Sequence, residues 1–203
     1  MKEATFFGLS LLTAPGQVMA PRATTEQLVT EALGLIGDRP ARVADIGTGS
    51  GAIAIAIASA APQAEVWATD TSRLAVALAR ANVLSHGLRR RVVVSHGDLL
   101  ETVPRPIDLV VANLPYLPEA ETALHPDLES EPHSAVFAPG DGLDPYRRLL
   151  AASARHLTSD GAVVLQLRGR VLAASRAHLP DLLASLGGAR SDAALPAAQL
   201  AFG

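Results

Sequence analysis

The feature that most constrains the fold is an alternation that begins at Arg42, where short β-rich runs are followed by longer runs rich in alanine and leucine. The runs predicted to form strands are Arg42–Ile46, Glu65–Thr69, Val92–Ser95, Ile107–Ala112 and Ala162–Leu167. The runs predicted to form helices are Gly51–Ala60, Ser72–Ser85, Pro145–Leu157 and Leu172–Leu186. Such an alternation predicts an α/β fold in which a parallel sheet carries helices on both faces and ligands bind outside the carboxyl ends of the strands.

The sheet is expected to have seven strands and to be mostly parallel, with two short closing strands in Ala189–Gly203. One segment is ambiguous, because Ile53–Ala58 alternates large and small residues with the period of a strand. The glycine turn before it and its alanine content favour a helix, and we interpret it as one.

Two segments lie outside this alternation. Residues 1–25 lack helical periodicity and are expected to form a hairpin-like arm from Thr5–Leu12 and Gln17–Ala20, turning near Pro15 and Gly16. A helix is expected over Thr25–Ile36, so residues 26–203 form the main domain. The stretch from Pro115 to Pro145 is rich in proline, glycine and acids, and loops of that length are often functional lids.

Composition indicates a globular, ordered protein, since 49% of its 203 residues are hydrophobic and 18% are charged. The net charge of −3 gives no polyelectrolyte argument for nucleic acid, and the run Arg89–Arg91 is interpreted as a solvated helix end. The absence of cysteine fits a cytoplasmic protein. No apolar run approaches the ~20 residues of a membrane span, and the six histidines show no metal-ligand spacing. We therefore expect no membrane association and no metal.

A glycine-rich turn follows the first predicted strand in the stretch Asp45-Ile46-Gly47-Thr48-Gly49-Ser50-Gly51. Glycines at alternate positions let the backbone turn tightly and approach a ligand, and the helix that follows presents unpaired N–H groups there. Asp70 ends the second strand, where its carboxylate can accept both hydroxyls of a ribose. Asp98 could accept from an adenine amino group, with Leu99 against the ring. This end of the sheet is predicted to bind an adenosine-type cofactor.

The pattern leaves two cofactors to be weighed, because Gly47, Gly49 and Ala52 also satisfy the dinucleotide pattern G-x-G-x-x-G/A. A third interpretation is that the glycines only permit tight packing. Asp45 separates the two ligands, since an acid at this place would repel a pyrophosphate and suits a cationic sulfonium or amino group. The residues therefore favour S-adenosylmethionine, with S-adenosylhomocysteine as product, over NAD.

The second informative stretch is Asn113-Leu114-Pro115-Tyr116, which directly follows the apolar run Leu109–Ala112. Pro115 restricts Leu114 to extended geometry, so the Leu114 carbonyl is expected to be free beside the Asn113 side-chain oxygen. Two acceptors aimed at one NH₂ group would orient its nitrogen lone pair, and Tyr116 would offer a flat face to a planar group. Taken alone, the stretch could be an ordinary asparagine–proline turn. Its position after a buried strand favours a substrate site.

With these residues the chain resembles the class I S-adenosylmethionine-dependent methyltransferases, and among them the HemK/PrmC family of protein-glutamine N5-methyltransferases. That family carries an Asn-Pro-Pro-Tyr motif, matched here by Asn113–Tyr116. The resemblance extends to the arm and the lid, at Phe7-Gly8-Leu9, Pro21-Arg22, Thr25-Glu26, Glu131-Pro132, Gly140-Asp141-Gly142-Leu143 and Tyr146-Arg147. It implies a Rossmann-like methyltransferase fold, a cofactor site at Gly47–Gly51, Asp70 and Leu99, and a grip on a substrate amide by Asn113–Tyr116. Arg22 and Glu131 are further candidates for substrate contact.

The chain departs from the family pattern at several positions. Leu114 replaces the first proline, giving a form also seen in ribosomal RNA adenine dimethyltransferases, and Ala23 and Thr24 replace a Pro-Glu pair. Gln166 stands where a glutamate is common, and the family's N-terminal helical domain is expected to be missing. The predicted activity is methylation of a protein glutamine, with a translation factor or ribosomal protein as partner. The alternatives are an RNA or DNA adenine N6-methyltransferase and a cofactor-binding protein without catalysis.

Overall fold

In the computed structural model, which describes residues 1–188, a six-stranded sheet forms the centre of the chain. Its strands in chain order are β3 (Ala41–Ile46), β4 (Ala64–Asp70), β5 (Val92–His96), β6 (Ile107–Ala112), β9 (Leu157–Leu167) and β10 (Arg170–Ser175). Their spatial order is β10-β9-β6-β3-β4-β5, and every pairing is parallel except that of β10 with β9. The predicted α/β fold with a mostly parallel sheet is confirmed. The predicted closing strands in Ala189–Gly203 lie outside the described residues.

The helices pack on both faces of this sheet, as predicted. They are α1 (Glu26–Ile36), α2 (Ala52–Ala60), α3 (Arg73–Ser85), α5 (Asp144–His156) and α6 (Leu179–Gly188), with a single-turn α4 (His133–Val136). Alternate residues of each central strand enter two separate apolar clusters: in β6, Val111 belongs to the cluster with α1 and α2, and Val110 to the cluster with α5 and α6. No helix among residues 1–188 is long and apolar enough to cross a membrane.

The register of the central strands aligns the ends that matter for the site. Ile46 of β3 pairs with Ala112 of β6, and Thr69 of β4 pairs with Ile46 on the other side. Gly47 and Asn113 therefore follow directly after two paired residues. The turn after β3 and the turn after β6 lie side by side at the carboxyl edge of the sheet.

The arm is a hairpin, but its predicted boundaries are wrong. Strands β1 (Lys2–Phe6) and β2 (Leu9–Thr13) pair antiparallel and turn at Phe7 and Gly8, whose φ values are 50° and 75°. Two successive positive φ values fit the tight turn that matches the twist of antiparallel strands. The Pro15–Gly16 region instead carries the chain from the hairpin towards α1.

The arm is held against the domain by buried polar groups. The side chain of Asn82, in α3, accepts from the Leu12 N–H at 2.8 Å and donates to the carbonyls of Leu12 and Ser50 at 3.0 and 2.8 Å. The Phe7 N–H donates to Glu26 Oε1 at 2.7 Å. These bonds fix the hairpin to the glycine turn and to the start of α1.

The predicted helix Leu172–Leu186 is wrong in its first part. Residues Arg170–Ser175 form β10, and the helix begins at Leu179. The reason is a two-residue hairpin turn at Arg168 and Gly169, with φ values of 49° and 74°, which returns the chain alongside β9. Strand β9 is also longer than predicted, since it begins at Leu157.

The segment predicted as a lid contains short structured pieces. Strands β7 (Leu117–Pro118) and β8 (Phe137–Ala138) pair in parallel, and 3₁₀ turns span Glu119–Leu124 and Pro126–Leu128. Gly142 closes the segment at φ +81°, where an added Cβ would lie 2.3 Å from the Tyr116 carbonyl oxygen. Only glycine fits there, so the end of the lid is tied closely to the residues that follow Asn113.

Candidate functional site

A cavity of about 310 Å³ opens at the carboxyl edge of the sheet, between the glycine turn, the end of β6, the arm and the lid. Its volume lies in the range of small-molecule sites, roughly 300–1,000 Å³. The predicted site residues that line it are Gly47, Gly49, Asp70, Asp98, Leu99, Asn113, Leu114 and Pro115. The structure therefore brings the predicted cofactor end and the predicted substrate end to one cavity.

The glycine turn is shaped by positive φ values and close contacts. Gly47 has a φ of 72°, and a Cβ there would lie 2.7 Å from the Leu114 side chain. Its N–H and that of Thr48 both donate to the Thr69 carbonyl, at 2.9 and 3.0 Å. Gly51 serves packing instead, because a Cβ on it would lie 3.2 Å from Ala79 of α3. The turn thus has one half that lines the cavity and one half that packs against α3.

Asp45 lies behind this turn and is fully buried. Its Oδ2 accepts from the Thr48 hydroxyl at 2.6 Å and from the Ala54 N–H at 3.1 Å, while Oδ1 has no hydrogen-bond partner. Burial raises the pKa of this carboxyl to about 7, although the two hydrogen bonds act in the opposite direction. The carboxylate expected to face a positively charged ligand is thus turned towards the N-terminus of α2, and Asp45 does not line the cavity.

Asp70 is placed as predicted, at the end of β4 in the cavity wall. Its Oδ2 accepts from the Gly49 N–H at 2.9 Å and its Oδ1 from the Ser72 N–H at 2.8 Å. A carboxylate offers about four lone-pair sites, so capacity for further donors remains on both oxygens. The two backbone bonds hold the carboxylate at the cavity.

Asp98 and Leu99 form the next part of the wall. Asp98 Oδ2 accepts from the guanidinium of Arg148, which lines the same cavity and which no sequence pattern marks. Leu99 has a φ of 49°, and its carbonyl accepts from the Thr69 hydroxyl at 2.8 Å. An apolar side chain and a carboxylate therefore lie side by side, a pairing that suits a purine ring and its amino group.

Asn113 lies where the main cavity meets a smaller one of about 60 Å³ on the arm side. Its side-chain nitrogen donates to the Thr25 hydroxyl at 3.2 Å, which leaves Oδ1 as the available acceptor. Thr48, Ser50 and Arg22 line the smaller cavity and not the main one. The predicted cofactor residues are thus divided between two adjoining spaces.

The Leu114 carbonyl is not free, contrary to expectation. The buried hydroxyl of Tyr146, in α5, accepts from the Leu114 N–H at 3.0 Å and lies 2.8 Å from the Leu114 carbonyl and 2.5 Å from the Gln166 carbonyl. Burial raises the pKa of this phenol above its usual range, so the group keeps its proton. The hydroxyl has one proton to donate and two carbonyl oxygens near it. The carbonyl to which it does not donate can accept a hydrogen bond from another group.

Tyr116 is half-buried and lines neither cavity. Its N–H donates to the Val136 carbonyl at 3.3 Å, and its ring packs against the cluster that contains Tyr146. The substrate contact predicted for the Tyr116 ring therefore stays a prediction.

Arg22 and Glu131, both predicted to contact substrate, contact each other. Arg22 Nη2 lies 3.3 Å from Glu131 Oε1, and their side chains are 43% and 16% exposed. The pair joins the arm to the lid at the rim of the smaller cavity. Residues 1–188 contain no group of three or more His, Cys, Asp or Glu side chains that could hold a metal ion.

Comparisons with known proteins agree with one another. A family model described as "Methyltransferase small domain" matches residues 24–127. The release factor glutamine methyltransferase of Deinococcus radiodurans is 42% identical over 78% of the chain and 57% of its own length, and that of Moorella thermoacetica is 37% identical over 94% and 67%. The ribosomal protein uL3 glutamine methyltransferase of Bordetella pertussis is 37% identical over 82% and 57%.

The first relatives matched are longer than this chain, which spans 54–59% of their length. Among solved structures, the ribosomal protein L11 methylase of Lactobacillus delbrueckii matches with a TM-score of 0.54 and 26% identity, covering 74% of this chain and 63% of that one. The hMettl16 catalytic domain matches in fold, with a TM-score of 0.65 and 19% identity over 79% of this chain and 62% of that one.

Proposed function

The chain belongs to the methyltransferase family described as the methyltransferase small domain, and from that premise we propose that it methylates the side-chain amide nitrogen of a protein glutamine, with S-adenosylmethionine as donor. The observation that carries the proposal is the shared cavity. Gly47 and Asn113 follow paired residues on adjacent strands, and both line it. A methyl donor held at one strand end and a nitrogen held at the next would lie within reach of each other.

The residues of the cavity fit S-adenosylmethionine. Asp70 would hold the ribose hydroxyls, and Asp98 with Leu99 would hold the adenine, since these groups line the wall with acceptor capacity left. The backbone of Gly47 and Gly49 lines the cavity at the turn, and the missing Cβ of Gly47 makes room for the Leu114 side chain beside it. When bound, S-adenosylmethionine supplies a methyl group already activated by its sulfonium.

The same geometry argues against a dinucleotide. The N–H groups of Gly47, Thr48, Gly49 and Ala54 already donate to protein acceptors, so they are not available to a pyrophosphate. The Asp45 carboxyl occupies the N-terminus of α2, the place where a phosphate would bind. These contacts favour a cofactor without a phosphate bridge.

The part of the protein in the reaction is to orient the acceptor nitrogen. Two acceptors lie on adjacent residues: Asn113 Oδ1, and the lone pair of the Leu114 carbonyl that the Tyr146 hydroxyl does not occupy. Two hydrogen bonds from one NH₂ group would aim its lone pair into the main cavity. S-adenosylmethionine would supply the methyl group from its sulfonium, and the methylated nitrogen would give up one proton to solvent. Positioning of this kind can account for about 7–11 kcal/mol of a barrier.

A protein acceptor is favoured over a nucleic acid by the charges around the site. Arg148 and Arg22, the described cations at the two cavities, are paired with Asp98 and Glu131. In the run Arg89–Arg91, Arg91 donates to the Ala58 carbonyl at 2.5 Å and so acts in packing. The partner we propose is a peptide release factor or a ribosomal protein, as in the names of the relatives, encountered in the cytoplasm.

The test is transfer of labelled methyl groups by the full chain to release factors and to ribosomal proteins, with the modified residue located by mass spectrometry. Label on a glutamine amide is the expected result. Label in RNA or DNA adenine would identify the enzyme as a nucleic-acid methyltransferase, and cofactor binding without transfer to any of these would identify a binding protein. Either result would overturn the proposal.

Asn113→Ala tests whether the Asn113 side chain orients the nitrogen that is methylated. Transfer should fall by about 10²–10³-fold, as when an oriented hydrogen-bonding group is removed from an active site, while cofactor affinity by calorimetry is retained. Gln63→Ala, which removes an exposed carboxamide away from the site, is the matched control and should change neither. Unchanged turnover in Asn113→Ala would remove this residue from the mechanism.

A further inference from the structure

The turn that joins the arm to α1 carries two threonines, of which one contacts Asn113 and the other contacts Gln166, a residue of β9 that lines neither cavity. Residues Ala23–Thr25 form a 3₁₀ turn, and the Thr25 side chain is buried. Its hydroxyl receives the Asn113 Nδ2 donor at 3.2 Å, and the neighbouring Thr24 hydroxyl receives Gln166 Nε2 at 3.3 Å. Each carboxamide at this edge of the sheet is therefore bound through its NH₂ group to the arm.

The side of the Asn113 carboxamide that faces the cavity decides what the site can do. A carboxamide has an acceptor oxygen and a donor nitrogen of nearly the same size, so shape alone does not select its orientation. The NH₂ group that is to be methylated is a hydrogen-bond donor, so only the oxygen of Asn113 can bind it. A rotation of 180° would present a donor to a donor and leave the incoming nitrogen without a partner.

We infer that Thr25 is a positioning residue, which binds the NH₂ group of Asn113 so that Oδ1 faces the nitrogen to be methylated; this inference rests on the proposed function. Thr25 lines the smaller cavity together with Asn113, and its own backbone N–H donates to the Arg22 carbonyl at 2.9 Å. The hydroxyl therefore sits on a closed turn next to a helix start. Residues 1–25 therefore supply the hydroxyl that binds the Asn113 NH₂ group, and no other described residue binds that group.

The substitution Thr25→Val removes the hydroxyl and keeps the branched shape of the side chain. We expect kcat for methyl transfer to fall by about 10²-fold, because a displaced reactive group can lower a rate by that factor, with KM for the cofactor unchanged. Thr25→Ser keeps the hydroxyl and should restore most of the rate. Thr24→Val is the matched control, since it removes the equivalent hydroxyl from Gln166, and its kcat should stay within about 3-fold of wild type.

A readout without a methyl acceptor separates this inference from the proposed function. In ¹H–¹⁵N spectra of the full chain, the side-chain NH₂ signals of Asn113, assigned by their loss in Asn113→Asp, should shift in Thr25→Val and return in Thr25→Ser. They should be unaffected in Thr24→Val. Unshifted signals in Thr25→Val would overturn the inference, whatever the acceptor proves to be. Shifted signals in a chain that methylates no glutamine would support the inference and contradict the proposed function.

Discussion

The two halves of the cavity are built in different ways. The cofactor half comes mostly from one continuous stretch, in which Asp45, Gly47, Gly49 and Asp70 bind one another or their neighbours across at most about twenty residues. The acceptor half is assembled from distant segments: Asn113 contacts Thr25 across 88 positions, and Leu114 contacts Tyr146 across 32. Asp45, Gly47, Gly49 and Asp70 belong to one βαβ unit, whereas the acceptor half requires the arm, β6, β9 and α5 to be in place.

This difference predicts that substitutions in the acceptor half lower methyl transfer at unchanged cofactor affinity. Substitutions in the cofactor half should lower cofactor affinity and leave transfer at saturating cofactor nearly unchanged. Tyr146→Phe and Asp70→Asn test that separation directly, and Asp45→Asn and Arg22→Gln test contacts that support each half.

Tyr146→Phe should have the largest effect. It leaves the buried Leu114 N–H without a partner, which costs about 1–3 kcal/mol of stability, and it frees the backbone that carries the acceptor carbonyl. We expect transfer to fall by about 10²-fold with cofactor affinity retained. Ser153→Ala, which removes a buried hydroxyl of the same helix that binds the Leu149 carbonyl, is the control. Equal rates for the two variants would mean that Tyr146 has no positioning role.

Asp45→Asn should change the pH dependence of stability. The pKa of this acid is raised to about 7 in the folded protein, so the folded state binds the proton more tightly than the unfolded state. Stability present at low pH is therefore lost as pH rises from about 4 to about 7, at up to about 1.4 kcal/mol per pH unit. The asparagine variant should lack this component in denaturant titrations at pH 5 and 6.5, a difference of about 2 kcal/mol. Asp38→Asn, at an exposed acid, should keep the wild-type slope. A wild-type slope in Asp45→Asn as well would show that Asp45 is ionised throughout.

Asp70→Asn should weaken cofactor binding by about 10-fold, since a neutral acceptor replaces a charged one in bonds to ribose hydroxyls. Calorimetry with S-adenosylhomocysteine measures this directly, and transfer at saturating cofactor should be nearly unchanged. Asp160→Asn, an exposed acid away from the cavity, serves as the control. If the affinity of Asp70→Asn equalled that of wild type, the ribose would be bound elsewhere.

Arg22→Gln should have the smallest effect. The Arg22–Glu131 pair is half exposed on the arginine side, and pairs of this kind contribute about 0–1 kcal/mol and are weakened by salt. A double-mutant cycle with Glu131→Gln, followed by thermal unfolding at low and high salt, measures the coupling. A large drop in transfer at unchanged stability would show instead that Arg22 contacts the substrate.

The cofactor half could be predicted well from the sequence because its residues are close together in the chain. A strand followed by alternate glycines and an acid about twenty positions later is a local pattern, and the structure places Gly47, Gly49 and Asp70 in one wall. The orientation of Asp45 could not be predicted in the same way. It depends on whether Thr48 and the first turn of α2 capture the carboxylate, and both do.

In the acceptor half the sequence indicated Asn113 but not the groups that hold it. Nothing local marks Thr25 or Tyr146 as partners of Asn113 and Leu114, because those contacts arise only when the sheet and the arm have formed. The position of Tyr146 in the motif after the lid marks it as a residue of interest, but nothing in the sequence indicates which groups its hydroxyl binds.

Secondary structure was predicted best where burial and periodicity agree. The isoleucine–alanine alternation of α2 looked ambiguous because every residue from Ala52 to Ala58 is buried, so the helix has no polar face to reveal its period. The two hairpin turns were missed because each begins with a large residue at positive φ, Phe7 and Arg168, where glycine is the usual choice. The glycine after each was the available clue.

The side chain of Asn82 has a consequence for how ligands reach the cavity. Asn82 is buried in α3 and binds both backbone groups of Leu12, as a neighbouring strand would do. Its second side-chain N–H donates to the Ser50 carbonyl. Swinging the hairpin outward would break the two bonds to Leu12 and leave the buried Asn82 oxygen and one of its N–H groups without partners, at about 1–3 kcal/mol each. The hairpin should therefore keep its position when ligands enter or leave the cavity. Ligands should therefore enter and leave the cavity past the lid, whose residues Pro132, Ser134 and Ala135 also line it.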